Sequence, residues 1–342
     1  MTQSATNSPI RVSVFGKTDV GKTRDHNEDC FLVANLTTRE ASLQPEVRDH
    51  ELGPKGTLLC VSDGMGGAAA GEVASAMAAE TIYKHLSDSW HGDEDSSPQQ
   101  FAFRLKEAVE RANAAIHSYA REHPDLRGMG TTTTAVGILG DHLYLTQVGD
   151  SRAYLVRNGE GIQLTKDQSL MQRLVDAGEL TEEEAEVSER RNIILQALGP
   201  ESRVKVDLTH QDMRQGDVIV LCSDGLSGQV KNDEIAQIAS QPDKTLVDMC
   251  SELIALANQR GGPDNITVVI ARVHGDGLRN PGDGASVGHQ VYPLLDTEST
   301  TEPVPVYKGS PPPEPRGSPA ARLATVAAVA LGAAAVFVLT SL

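Results

Sequence analysis

Three apolar runs in this chain each end at an aspartate set beside glycine. Leu58–Gly71 reads LLCVSDGMGGAAAG, Val218–Gly228 reads VIVLCSDGLSG, and Leu143–Arg152 reads LYLTQVGDSR. In each, a strand-like run drives toward a core and then stops, on backbone that glycine allows to turn sharply. Asp63, Asp224 and Asp150 are thereby left at the mouths of buried strands. Asp264, in Gly261-Gly262-Pro263-Asp264-Asn265, is a fourth acid next to turn glycines, just before the last strand, and Asp29, with Glu28, stands at the head of the strand 30–36. Singly, an aspartate of this kind is a turn residue. As a set, they collect acidic oxygens around hard cations. The ten histidines show no HxxH or HExxH spacing, so the candidate ligands are carboxylates, which select Mg²⁺ or Mn²⁺ over zinc. Arg24, in the polar stretch before Asp29, has the geometry to bind a phosphate bidentately.

The chain in order predicts strands at 11–18, 30–36 and 58–62, then an Ala-rich helix over 72–86 and a second helix over 98–122 with Pro98 in its first turn. Residues 37–56 are polar and predict an excursion loop. Strands at 131–139 and 142–148 meet at Gly140-Asp141 as a hairpin, and 153–156 and 161–164 flank a second turn. Short helices follow over 168–178 and 181–190, the second opened by a Thr181…Glu184 capping box. Strands at 204–208, 218–222 and 266–273 frame helices at 232–239 and 244–259. Strands come in blocks with helix pairs between them, which predicts an α+β fold of mostly antiparallel packed sheets with helices outside.

Beyond His274 the composition shifts to Gly, Pro, Ser, Thr and acidic residues, and 275–322 predicts a disordered linker. Residues 323–342, LATVAAVALGAAAVFVLTSL, carry no charge and match the ~20 residues that a membrane span requires. Arg316 and Arg322 precede them, which predicts a single-pass C-terminal anchor with the rest of the chain in the cytoplasm. MTQSATNSPI at the N-terminus has no apolar core of a signal peptide, so 1–9 is expected to be flexible. The net charge of −17 argues against a nucleic-acid partner. It leaves a phosphorylated one open, because bound divalent cations reverse the local field. Four cysteines without CxxC pairing, three of them in apolar strands, predict buried thiols in a reducing compartment.

Arg24-Asp25-His26-Asn27-Glu28-Asp29, Asp63-Gly64-Met65-Gly66-Gly67, Gly128-Met129-Gly130-Thr131-Thr132, Val148-Gly149-Asp150-Ser151-Arg152, Ser223-Asp224-Gly225 and Gly261-Gly262-Pro263-Asp264-Asn265 together resemble the ordered motifs of the metal-dependent protein phosphatases (protein phosphatase 2C) in their bacterial form. The resemblance covers residues 10–274. It implies a four-layer α-β-β-α sandwich of two central antiparallel sheets, and hydrolysis of phosphoserine and phosphothreonine in proteins with two, or with a third, Mn²⁺ or Mg²⁺ ions. Carried over by position, Asp63 would bridge both core ions and the Gly64 carbonyl would bind one. Asp224 and Asp264 would hold one ion, Asp29 with Glu28 the other mainly through water, and Asp150 a more labile third. Arg24 would clamp the phosphate, and Asn265 would support the ligands from behind. The implied mechanism is in-line attack of a metal-bridging hydroxide on phosphorus, with no covalent phosphoenzyme. Residues 166–200 resemble the flap beside the site.

The chain departs from the family at several positions. Met65 stands where eukaryotic members carry a histidine, Ala68 where many bacterial members do, Gln168 within the usual Asp-His-Ser, and Ser188-Glu189 ahead of Arg190-Arg191-Asn192. No side chain is thereby named as general acid. The expected partners are phosphorylated proteins and a Ser/Thr kinase whose action the enzyme reverses. Two further readings stay open: a catalytically weak scaffold, and a hydrolase of small phosphomonoesters. A protein kinase is disfavoured by the lack of a GxGxxG loop and a His-Arg-Asp loop.

Overall fold

The computed structural model describes residues 9–66, 70–282 and 287–294. Five strands come first: β1 (Arg11–Asp19), β2 (Asp29–Asn35), β3 (Glu40–Ser42), β4 (Arg48–Glu51) and β5 (Thr57–Met65). Helices α1 (Ala70–His85) and α2 (Pro98–Glu122) follow. Next come β6 (Gly130–Thr131), β7 (Thr133–Leu139), β8 (His142–Val148), β9 (Arg152–Arg157) and β10 (Glu160–Gln163). Two short helices, α3 (Leu170–Asp176) and α4 (Glu182–Glu186), lead to β11 (Asp207–Asp212) and β12 (Val218–Cys222). The succession ends with α5 (Asp224–Ser227), α6 (Asn232–Ala239), α7 (Leu246–Gln259) and β13 (Ile266–His274).

These strands form two sheets, in the orders β10-β9-β12-β13-β1-β4 and β11-β8-β7-β5-β2-β3, with β6 added to β5. Every pairing among them is antiparallel. Alternation along the strands sends one set of apolar side chains between the sheets: Val14, Phe31, Leu59, Val136, Leu155, Ile219 and Val269 all lie in that shared core. The other face of the first sheet packs on α6 and α7 through Tyr154, Val220, Ile235, Met249 and Leu253. On the second sheet, Gly137 leaves room for α2: a Cβ there would stand 2.4 Å from the Phe101 ring. Phe101 also meets Tyr144 edge-on at 5.6 Å. The expected α-β-β-α layering is the observed one.

Local signals set the elements. Helix α2 starts at Ser97, whose side chain accepts from the Gln100 amide, with Pro98 in the first turn. Its buried stripe of Phe101, Leu105, Val109, Ala112 and Ile116 follows helical spacing. The turn between β9 and β10 puts Asn158 at φ 54° and Gly159 at φ 83°, the two left-handed residues that a two-residue hairpin needs. The capping box at α4 forms as predicted.

Two expectations are corrected. Residues 37–56 are not a plain loop: β3 pairs with β2 and β4 with β1, one at an edge of each sheet. Their polar sequences, EAS and RDHE, show no apolar alternation because edge strands have little to bury, and charge there discourages pairing with other chains. Nor does order end at His274. Leu278 is buried in the core between the sheets, and residues 287–294 lie along β11. There Val291 bridges Thr209, the Tyr292 amide donates to the Leu208 carbonyl at 2.9 Å, and Tyr292 meets Tyr144 at 5.4 Å. A free sheet edge and a few apolar side chains suffice to dock a segment whose average composition is that of a linker. Residues 283–286 and 295–322 and the 323–342 run lie outside the described residues, and no helix among those described is long and apolar enough to cross a membrane.

Candidate functional site

Strands β2 and β5 are registered so that Asp29 stands opposite Asp63, and cross-strand neighbours on one face have their Cβ atoms about 5 Å apart. Asp63 is fixed through its backbone. Its amide donates to Thr132 Oγ1 at 3.1 Å, and its carbonyl accepts from Thr131 Oγ1 and the Thr132 amide, both at 2.8 Å. Thr132 Oγ1 continues to Ser151 Oγ at 2.7 Å, and Thr134 Oγ1 donates to the Ser151 carbonyl at 2.6 Å. The run Thr131–Thr134, which reads as β-branched strand, is therefore also a rack that aligns the backbone at Asp63 with the turn carrying Asp150.

Close backbone approach builds the next part. The Gly64 amide donates to the Glu28 carbonyl at 3.1 Å, and Ser75 Oγ donates to the same oxygen at 2.6 Å. A Cβ on Gly64 would fall 2.2 Å from the Gly71 carbonyl oxygen, so only glycine lets α1 begin this close to β5. Gly67 and Ala68, within the sequence motif, lie outside the described residues.

Asn265, buried at the head of β13, fastens the loop that carries Arg24. Its Oδ1 accepts from the Glu28 amide at 2.8 Å, and its Nδ2 donates to the carbonyls of Val20 and His26 at 2.9 and 3.0 Å. Arg24 then reaches Asp264 Oδ2 through Nη2 at 2.7 Å while remaining about half exposed. His26 Nε2 meets Glu28 Oε1 at 3.1 Å. Ser223 caps the picture from β12: its Oγ donates to Asp29 Oδ2 at 2.7 Å and accepts from the Thr267 amide at 3.0 Å. Sequence reasoning missed Ser223, Thr132 and Ser75. The only signal for Ser223 was its repeat in both Ser-Asp-Gly motifs.

The electrostatics follow from crowding acids in a desolvated place. Burial first, then the neighbouring Asp224 and Asp264, push the Asp29 carboxyl up to about 7 against the hydrogen bonds from Ser223 and Thr267. Burial and then Asp224 and Asp167 push Asp150 up to about 8. Asp63 is held well above the usual carboxylate range by burial and by Asp29, Asp224, Asp150 and Asp264. Asp224 is raised by burial and by Asp264. For Arg24, burial alone would lower its pKa, but Asp264, Glu28 and Asp63 outweigh it and raise it. All the sequence-predicted acids thus belong to one neighbourhood, with Glu28 turned toward His26.

Among the described residues, no three His, Cys, Asp or Glu side chains close on one point tightly enough to ligate an ion unaided. Yet Asp29 Oδ1 and Asp224 Oδ1 are buried with no hydrogen-bond partner in the protein. Two orphaned anionic oxygens inside a group of mutually repelling carboxylates fit a cation. Carboxylate oxygens are the donors that hard cations such as Mg²⁺ and Mn²⁺ take.

The sequence profile described as Protein phosphatase 2C matches residues 46–266. The chain belongs to the protein phosphatase 2C family. Within the match lie Asp63, Asp150, Asp224 and Asp264. Arg24, Glu28 and Asp29 precede it and join the site through the Asp29–Asp63 register and Asn265. The serine/threonine protein phosphatase PstP of Mycobacterium tuberculosis is 43% identical over 216 residues, 63% of this chain and 40% of that protein, so the chain matches well under half of PstP's length. The serine/threonine phosphatase stp of Listeria monocytogenes is 36% identical over 255 residues, 74% of this chain and 93% of that protein. Among solved structures, the catalytic domain of PstP in complex with two manganese ions superposes with a TM-score of 0.62 at 37% identity, covering 78% of this chain and 99% of that one. The Streptococcus agalactiae serine/threonine phosphatase gives 0.65 at 36% identity, covering 76% and 98%.

Proposed function

We propose that this chain is a metal-dependent protein serine/threonine phosphatase that removes phosphate from phosphoserine and phosphothreonine in proteins. The observation that carries the proposal is the facing pair Asp29 and Asp63 beside Asp224, with two buried carboxylate oxygens unpartnered and Arg24 at the rim. Asp63 would serve both ions, with Asp224 and Asp264 holding one and Asp29 with Glu28 the second, and the Gly64 carbonyl would bind one of the two. Asp150 would serve a third. Mn²⁺ is favoured, since a relative's catalytic domain is described with two manganese ions, and Mg²⁺ suits the same oxygens. When bound, such ions supply positive charge to the phosphoryl oxygens and lower the pKa of water.

The chain's own residues supply the rest. Arg24 spends one nitrogen on Asp264 and, half exposed, keeps the others of its planar fork for the phosphate. Tethered by Asp264 and by the Asn265 clasp, it is oriented before substrate arrives. Among the described residues, neither the Ser223 hydroxyl nor the Cys222 and Cys60 thiols are suited to form a phosphoenzyme. Ser223 is fully buried and committed to Asp29. Burial pushes the Cys222 thiol up to about 12 and raises that of Cys60, which leaves neither as a thiolate. Direct hydrolysis is the reading that suits this inventory. A scaffold would gain nothing from a carboxylate cluster that burial and repulsion make costly. The 323–342 run, uncharged and of spanning length, supports a single-pass anchor with the catalytic part in the cytoplasm, where a Ser/Thr kinase would be its counterpart.

The test is phosphate release by the full chain from a phosphothreonine peptide and from a small phosphomonoester, with EDTA, Mg²⁺ or Mn²⁺. Peptide turnover with Mn²⁺ that vanishes in EDTA is expected, with Asp63→Asn and Asp224→Asn each lowering kcat by at least about 100-fold. Undiminished metal-dependent turnover in both variants would refute the ligand assignment, and preference for the small ester would refute the protein substrate.

A further inference from the structure

Two adjacent residues at the foot of the 166–200 segment grip the turn that presents Asp150, one on each side. Gln168 takes Gly149. Its Oε1 accepts from the Gly149 amide at 2.9 Å, and its own amide donates to the Gly149 carbonyl at 2.9 Å. Gln147 Nε2 reaches that carbonyl too, at 3.2 Å. The Gln168 side chain then runs on to β11, where Nε2 donates to Asp207 Oδ2 at 2.9 Å. Asp167 takes Arg152, receiving Nε at 3.0 Å and Nη2 at 2.7 Å. Asp150 sits between the two held residues. The turn itself has little slack, because Gly149 is at φ 99° and a Cβ there would stand 2.6 Å from Thr132.

We propose that Gln168 is a positioning residue for the Asp150 carboxylate, bridging the Gly149 amide to Asp207 so that the 166–200 segment and β11 together set the ion site that Asp150 serves. The inference rests on the proposed reading of Asp150 as a ligand. Gln168 bonds Gly149 and Asp207 and so acts through the backbone of the turn, as partners behind a ligand commonly do. An imidazole, with one acceptor and one donor nitrogen, is suited to the same bridge. Methionine is a near isostere that keeps the backbone bond and removes both side-chain bonds.

The experiment is Mn²⁺ titration of the full chain, by calorimetry and by phosphopeptide turnover, for the parent, Gln168→Met, Gln168→His, Asp150→Asn and the Gln168→Met/Asp150→Asn double variant. Gln168→Met is expected to weaken the lowest-affinity Mn²⁺ event about tenfold, leave the tighter events unchanged, and lower kcat without moving KM for the peptide. Gln168→His should recover most of that loss. In the Asp150→Asn background, Gln168→Met should add nothing, since residues acting through one another are not additive. Should Gln168→Met fail to fold, Gln168→Asn, one methylene too short for the bridge, is read the same way. A parent-like titration of Gln168→Met beside an impaired Asp150→Asn overturns the inference alone, as does full additivity. An Asp150→Asn variant that binds Mn²⁺ as the parent does overturns the reading of Asp150 and the inference together.

Discussion

Asp29, Asp63, Asp150 and Asp224 are each held where ionisation is disfavoured, first by burial and then by neighbouring acids, Asp264 in the case of Asp224. Without metal the fold therefore carries a cost at these positions, as sites kept for function at the expense of stability do. Asp224→Asn should accordingly raise the unfolding temperature in EDTA, by about 2–4 °C for each kcal/mol of repulsion relieved. With Mn²⁺ the order should reverse, because the parent binds the ion in its native state alone. Thermal unfolding of both proteins in EDTA and in Mn²⁺ checks this, and a variant no more stable than the parent in EDTA would count against stored repulsion. Asp63, Asp150 and Asp224 were legible because an aspartate beside glycine at the end of an apolar run recurs. Ser223, Thr132 and Ser75 were not, because a hydroxyl in a buried strand looks the same whether it orients a ligand or a neighbouring backbone.

At the level of elements, α1 and α2 are joined through Glu107. It accepts from Arg104 at 2.7 Å and from Arg111 at 2.9 Å, and meets His85 at 2.9 Å. Burial alone would raise its pKa, but these three partners outweigh burial and hold the carboxyl well below its ordinary value. A depressed folded pKa means the unfolded chain binds the proton more readily. The stability is then complete above the unfolded value of about 4.3 and is lost as pH falls through the folded one. Glu107→Gln should cost about 2 kcal/mol at pH 7, and its gap to the parent should narrow as the pH is lowered from about 4. Urea unfolding at pH 7 and pH 3 measures it, and a gap independent of pH would contradict the ionic origin. Helix α2 was legible from period and cap. Strand β11, DLTHQD, lies about four residues beyond the expected 204–208, because an edge strand alternates weakly and its register comes from β8.

For the molecule as a whole, the fold runs past His274 to at least Tyr292. Cutting after His274 removes Leu278 from the core and bares the β11 edge, which should cost about 2–3 kcal/mol and promote association. A chain ending at Leu294 should keep the stability and remain monomeric by size-exclusion chromatography. If 1–274 unfolds at the same temperature as 1–294, the returning segment contributes nothing to the fold. On the proposed anchor, the full chain should sediment with membranes and 1–294 should not.

Period, turn chemistry and the recurrence of aspartate beside glycine at the ends of apolar runs were enough to specify most strands and helices, packed antiparallel sheets with helices outside and the candidate acids, because each is a local pattern repeated along the chain; the four-layer order was what the family resemblance implied. Which aspartate faces which, the threonine rack behind Asp63, the Asn265 clasp on the Arg24 loop and the docking of 287–294 on β11 came only with the assembled fold. These depend on register and on contacts between residues hundreds of positions apart, such as Glu28 with Asn265, and no local pattern encodes a distance of that kind.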